Sequence, residues 1–214
     1  MEDEMTFHCP TCGFQACAAA PGEKEVPDDC PMLRAEEALL KARAQYENPE
    51  TRALALAAAR TEADRYPLET RVEEVMSFAR RIGATRLGIA SCLGLLREAR
   101  LFQEIALANG FEVEAVCCKM GNIPKEEIGL TDEEKIRPGQ FEALCNPIGQ
   151  AEVLNTVGTH LNVAIGLCVG HDSLFFRHSH APVTVLVAKD RVTGHNPCAV
   201  LYTLHSYYRR LRES

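Results

Sequence analysis

Hydrophobic positions along the chain follow two periodicities, and the change from one to the other falls near Gly83. From Pro31 onward apolar residues recur at helical spacing. Pro31 suits a first helical turn, and Leu33, Leu39, Leu40 and Ala42 supply an apolar side. Asn48-Pro49 then restarts the chain as an N-cap and first helical residue. Residues 52–65 predict an alanine-rich helix. Leu68, Val72, Val75, Met76, Ala79 and Ile82 mark one further helical stripe, with Gly83 as its stop.

Beyond Gly83 short apolar runs alternate with helical stretches. Strands are predicted over 86–90, 111–118, 162–168 and 183–188. Helices are predicted over 93–109, from Asn146-Pro147 to Val157, and over 198–212. Residues 119–141 read as a polar loop carrying Gly121, Pro124, Gly129, Pro138 and Gly139. Strands that alternate with helices argue for an α/β fold with a doubly wound, mostly parallel sheet of about four strands. Residues 1–31 show no amphipathic period and cannot bury enough apolar surface to order themselves. The predicted organisation is a Cys-rich module over 1–31, a helical segment over 32–82 packing on the main domain, and an α/β domain over 83–214.

Charge narrows the choice of partner. Lys and Arg number 23 against 30 Asp and Glu, a formal net charge of -7. Nucleic-acid binding rests on clustered positive charge that this balance does not supply, so no nucleic-acid partner is expected. No apolar run approaches the roughly 20 residues of a membrane span, and no membrane partner is expected. Met1-Glu2-Asp3-Glu4 is acidic where a secretory leader would be basic and then apolar. A cytoplasmic location follows as the expectation.

Against that background the count of 10 cysteines stands out. In a reducing compartment such an excess points to metal binding or thiol chemistry more often than to disulfides. Cys9, Cys12, Cys17 and Cys30 are separated by 2, 4 and 12 residues. The first pair has the short chelate spacing of structural zinc sites, although a matching second pair is missing. The spacing fits neither common ferredoxin run, so it leaves zinc and an iron–sulfur cluster both open as the group that clamps this module.

The remaining cysteines gain meaning from the strand pattern. Cys92 follows the first strand, Cys117 and Cys118 end the second, and Cys168 ends the third. In an open parallel sheet these carboxyl ends share one rim, where ligands bind. Cys145 joins them just before a helix start. A thiol at a helix N-terminus has its pKa lowered, which favours the thiolate. Cys198, after Asn196-Pro197, lies outside this group. Gly166 to Ser173 adds close backbone approach with His171 and Asp172 beside it, and Lys119, Lys189 and Arg191 make the rim locally basic. His178 and His180 flank Ser179 and are read as ordinary loop histidines.

Several of these stretches carry a resemblance. Cys92-Leu93-Gly94-Leu95, Cys117-Cys118-Lys119, the run from Phe141 to Ile148, the run from Gly166 to Ser173, and Ala181 to Thr184 followed by Lys189 to Pro197 resemble a domain-of-unknown-function family of cysteine-rich, predicted metal-binding proteins. The resemblance extends to the N-terminal cysteine module. It implies that Cys92, Cys117, Cys118, Cys145 and Cys168 are site residues together with His171, Asp172, Lys189, Asp190 and His195, and it names no reaction.

The combined expectation is a metalloprotein in which Cys9, Cys12, Cys17 and Cys30 hold one group. Cys92, Cys117, Cys145 and Cys168 would hold a second, zinc or an iron–sulfur cluster, on the rim. Cys118, His171, Asp172 and Lys189 would carry redox or sulfur chemistry there on a small ligand, anionic or sulfur-containing. Two alternatives are a metal-free thiol redox or sulfur-transfer protein, with Cys117-Cys118 or Cys92 as nucleophile, and a non-catalytic metal carrier or sensor.

Overall fold

A computed structural model describes residues 6–213. The chain divides into two compact units, one up to Arg60 and one from Thr61 onward. The first unit holds the short 3-10 turns Cys9–Thr11 and Ala16–Ala18, then helices α1 (Pro31–Arg34) and α2 (Glu36–Gln45). Helix α3 (Pro49–Asp64) runs across the division. Its start is as the sequence predicts: the Asn48 side-chain oxygen accepts the N–H groups of Glu50 and Thr51 at 2.9 and 3.1 Å.

The second unit begins with α4 (Arg71–Arg81), whose first turn is fixed by a reciprocal capping box between Thr70 and Glu73. There follow β1 (Arg86–Ser91), α5 (Leu96–Ala108), β2 (Glu112–Cys117), α6 (Pro147–Val157), β3 (Leu161–Ile165), α7 (His171–His178), β4 (Val183–Val187) and α8 (Cys198–Tyr202). The four strands form one sheet in the order β2-β1-β3-β4, and every neighbouring pair is parallel. The fold is α/β, as the alternation of strands and helices predicts.

Strand alternation sends side chains to two separate cores. Leu87, Ile89, Leu161, Val163 and Ile165 pack with Val75, Met76 and Ala79 of α4 and Ala99, Phe102 and Ala106 of α5. On the opposite face Ala90 and Ala164 meet Ala151 and Leu154 of α6 and Phe175 of α7. Small residues on that face let α6 lie close to the strands. Complete burial of a side chain the size of Phe175 contributes about 1.5–3 kcal/mol. The outer edge, β4, is partly covered by Arg71 of α4, which donates to the Val185 carbonyl at 2.7 Å and to the Thr184 hydroxyl at 3.3 Å.

Two elements differ from the sequence expectation. Residues 171–178, over which no helix is predicted, form α7 and complete the β3 to β4 crossover. The closing helix is five residues long where a run to 212 is predicted; at its end the Ala199 carbonyl accepts both the Thr203 N–H at 3.2 Å and the Thr203 hydroxyl at 2.6 Å. Such a short hydroxyl-to-carbonyl return competes with continued helix.

The strand order places a topological switch between β1 and β3. From β1 the chain crosses through α5 to β2 on one side, and later through α7 to β4 on the other. Loops leaving the carboxyl ends of β1 and β3 therefore diverge, and a crevice opens between them. Gly166 helps form it. Its φ is +67°, and an added Cβ would lie 2.3 Å from a Leu95 methyl, so only glycine lets the chain leave β3 this close to the β1–α5 loop.

Candidate functional site

A cavity of about 790 Å³ occupies this edge, and Cys92, Cys118, Cys145 and Cys168 all line it. Each sulfur is brought there by backbone structure. The Cys92 N–H donates to the Ile165 carbonyl at 3.1 Å, and the Cys118 N–H to the Ser91 carbonyl at 2.9 Å, so both residues extend the sheet ladder by one step. The Asn146 N–H donates to the Cys118 carbonyl at 2.7 Å, which draws Cys145 beside Cys118. Cys168 accepts the N–H groups of His171 and Asp172 on its carbonyl at 2.9 and 3.1 Å as α7 begins.

Donors converge on the sulfurs as well. The Leu93 N–H reaches Cys118 Sγ at 3.3 Å and the Gly94 N–H reaches Cys92 Sγ at 3.4 Å. Arg191 donates to Cys168 Sγ at 3.0 Å.

Cys118 and Cys145 are neighbours on the cavity wall with opposite tendencies. The interaction with Cys118, with Lys119 and the charge of His171 adding to it, holds the Cys145 thiol down to about 5 against the opposing effect of burial. The same interaction, with burial, pushes the Cys118 thiol up. Cys118 is 3% exposed and Cys145 is half-buried, so the shifts favour the proton on Cys118 and the thiolate on Cys145. Lys119 is itself fixed by donating to the Ala143 carbonyl, on the same stretch that carries Cys145.

The other residues singled out by sequence fall into distinct places. Lys189 lies beside the thiols: a methyl on Gly94 would sit 3.2 Å from Lys189 Nζ and 4.0 Å from Cys92 Sγ. Cys117 does not line the cavity; it is half-buried and packs against the same core to which Cys92 and Cys118 belong, so the expected role of Cys117 in holding a rim group is not met by its position. Asp172 turns back on its own helix, accepting the Ser173 N–H at 2.8 Å. Asp190 accepts the N–H groups of Val192 and Thr193 at 2.9 and 3.1 Å, and His195 Nδ1 accepts the Asp190 N–H at 3.1 Å. These two brace the turn that presents Arg191. His178 and His180 are held through Asn155, which donates to the His178 carbonyl and accepts the His180 N–H, each at 2.9 Å.

Sequence reasoning misses Gln150. It is fully buried on α6, and its amide donates to the Ser91 carbonyl at 3.1 Å and the Val116 carbonyl at 2.6 Å, clamping the ends of β1 and β2 immediately before Cys92 and Cys117. Nothing in the sequence sets Gln150 apart, since α6 also carries Glu152, Asn155 and Thr156.

In the first unit Cys9, Cys12, Cys17 and Cys30 line one cavity of about 280 Å³. The first three are exposed and Cys30 is half-buried. Among the described residues, no three of His, Cys, Asp and Glu stand together as a ready ligand set for a metal ion, on the rim or in this module. The donor types suit a soft metal; their placement in this structure does not form a site for one.

The family described as "Protein of unknown function (DUF1847)" matches residues 30–186. This span contains Cys30, Cys117 and the four cavity cysteines, and ends short of Arg191 and of the turn that presents it. An uncharacterized protein of Methanocaldococcus jannaschii, MJ0455, is 43% identical over 169 residues, covering 79% of this chain and 85% of that protein. No solved structure matches the chain.

Proposed function

We propose a thiol-based redox function for this chain, which belongs to the DUF1847 family of proteins of unknown function. One observation carries the reading: Cys118 and Cys145, tied together through the Asn146 N–H on the Cys118 carbonyl, both line the rim cavity with Lys119, His171 and Arg191. Such a pair is the reduced form of a dithiol that cleaves an S–S bond.

The sequence of steps uses only groups in the cavity. The Cys145 thiolate attacks one sulfur of a small disulfide R–S–S–R′. A Cys145–S–S–R bond forms, the S–S bond of the substrate breaks, and R′S⁻ leaves with the electron pair. Lys119, His171 and Arg191 stabilise that developing negative charge. Cys118 then gives its proton to the departed thiolate and attacks Cys145 Sγ, forming a Cys118–Cys145 disulfide and releasing RS⁻. The substrate is reduced by two electrons and the protein oxidised by two; a dithiol reductant restores the starting state.

Incubation with hydroxyethyl disulfide followed by peptide mapping tests this. A Cys118–Cys145 disulfide is expected, and Cys118→Ser should accumulate the mixed disulfide on Cys145. Reaction no faster than that of a free thiol, or undiminished in Cys145→Ser, would overturn it.

A second reading concerns the N-terminal module, where four thiols share one cavity. In it, zinc or an iron–sulfur cluster draws Cys9, Cys12, Cys17 and Cys30 together and orders a segment that lacks a core of its own. Metal analysis and an absorption spectrum of anaerobically purified protein test it: metal should be present and be lost in Cys9→Ser and Cys12→Ser. Metal lost instead with Cys92, Cys145 or Cys168 would place the group on the rim and overturn the dithiol reading.

A further inference from the structure

The loop over 123–143 supplies part of the wall of the rim cavity, and its polarity is reversed. Lys135 is 8% exposed, while the next residue, Ile136, is 83% exposed. Surface loops ordinarily do the opposite. The reversal is built from ionic contacts internal to the loop. Lys135 Nζ meets Glu126 at 2.8 Å and Asp132 at 2.5 Å and donates to the Gln140 carbonyl at 2.6 Å. Lys125 pairs with Glu142 at 2.7 Å, and Glu142 also accepts the Arg137 N–H at 2.6 Å.

With its charges engaged on one another, the loop presents apolar side chains. Ile128, Ile136 and Phe141 line the cavity and are 65%, 83% and 60% exposed. Apolar surface held outward by a scaffold of this kind marks a binding wall. A cavity of about 790 Å³ takes a small molecule well above the size of a bare inorganic ion. Charge selects further. Glu142 is the sole carboxylate among the described residues lining the cavity and is already paired with Lys125, whereas Lys119, Arg137 and Arg191 add positive charge.

We infer that the substrate of the rim is a low-molecular-weight disulfide with an aromatic or bulky apolar body and a carboxylate, the body lying against Ile128, Ile136 and Phe141 and the carboxylate facing Arg137 and Arg191. This rests on the dithiol reading. Cys145 attacks the disulfide sulfur nearest it, and the apolar thiolate that leaves carries the electron pair and its carboxylate away.

The test compares two probes at one pH, each rate divided by that of a free thiol: dithiobis-nitrobenzoate, an aromatic dicarboxylate disulfide, and hydroxyethyl disulfide, small and neutral. The aromatic probe should be favoured at least tenfold, and Ile136→Ser with Phe141→Ser should lower that preference several-fold. Both residues are exposed, so folding does not confound the result. In Cys145→Ser a non-reactive aromatic carboxylate, naphthoate, should still bind, as followed by NMR shifts of the Phe141 ring. Fast reaction with both probes and no preference overturns this inference and leaves the dithiol reading. Naphthoate binding without fast reaction of either probe supports the aromatic-carboxylate wall and overturns the dithiol chemistry. Absence of naphthoate binding overturns the wall outright.

Discussion

Asn146 is bound to Cys118 through its backbone N–H, which donates to the Cys118 carbonyl at 2.7 Å, and its side chain caps α6 by accepting the Gly149 N–H at 2.8 Å. One residue thus starts a helix and sets the separation of two thiols. Asn146→Ala should cost about 1 kcal/mol through the lost cap. It should also slow Cys145 alkylation at pH 6, since the loop bearing the thiolate loosens. Denaturant titration and site-resolved alkylation check the two effects separately.

Lys119 is a cation that lowers the Cys145 pKa. Lys119→Met should therefore raise the Cys145 pKa from about 5 toward the ordinary thiol range. At pH 6 a rise of about one unit lowers the thiolate fraction, and with it the alkylation rate, by about twofold, and a rise of about two units lowers it by about tenfold. Lys119→Arg should retain most of the rate.

Stability should depend on pH through the same pair. Unfolded cysteines titrate near about 8.5. Folded Cys145 titrates near 5, a depressed acid, so its contribution is complete above the unfolded value and disappears as pH falls through 5. Cys118 is raised and acts oppositely, so its stabilisation fades as pH climbs beyond about 8.5. Stability should rise from pH 5 to about 8.5 and fall beyond it. The slope is at most about 1.4 kcal/mol per pH unit for one proton of difference between the two states, and solvent at the half-buried Cys145 narrows the range over which it acts. Urea midpoints across this range check the sign, and Cys145→Ser should flatten the acid limb.

Much of this was legible in the chain. Each strand is a short run rich in valine, isoleucine, leucine and alanine, ended by glycine or polar residues, and parallel winding alone puts Cys92, Cys118 and Cys168 on one edge. Cys117 could not be told from Cys118, because side chains alternate and the reading depends on where the strand ends to a single residue. Helix α7 escaped because eight residues, two of them histidines, show too little period. The loop around Lys135 and Ile136 was invisible for another reason. Its composition is that of any polar loop, and only the ionic contacts reveal that the charges turn inward.

Arg191 is presented to Cys168 by a turn that Asp190 and His195 brace. Arg191→Ala should slow Cys168 modification by anionic iodoacetate more than by neutral iodoacetamide, because a cation next to the sulfur attracts the charged reagent. Asp190→Ala should produce a weaker version of the same discrimination. Equal effects on both reagents would mean that Arg191 only packs there.

The assignment of Cys145 as the thiolate and Cys118 as its protonated partner is tested by the rate of iodoacetamide alkylation at each cysteine from pH 4 to 10, resolved by mass spectrometry. The Cys145 profile should have its midpoint near 5, and Cys118 should stay unmodified until the protein unfolds. A Cys145 midpoint near that of an ordinary free thiol, or alkylation of Cys118 ahead of Cys145, would contradict it.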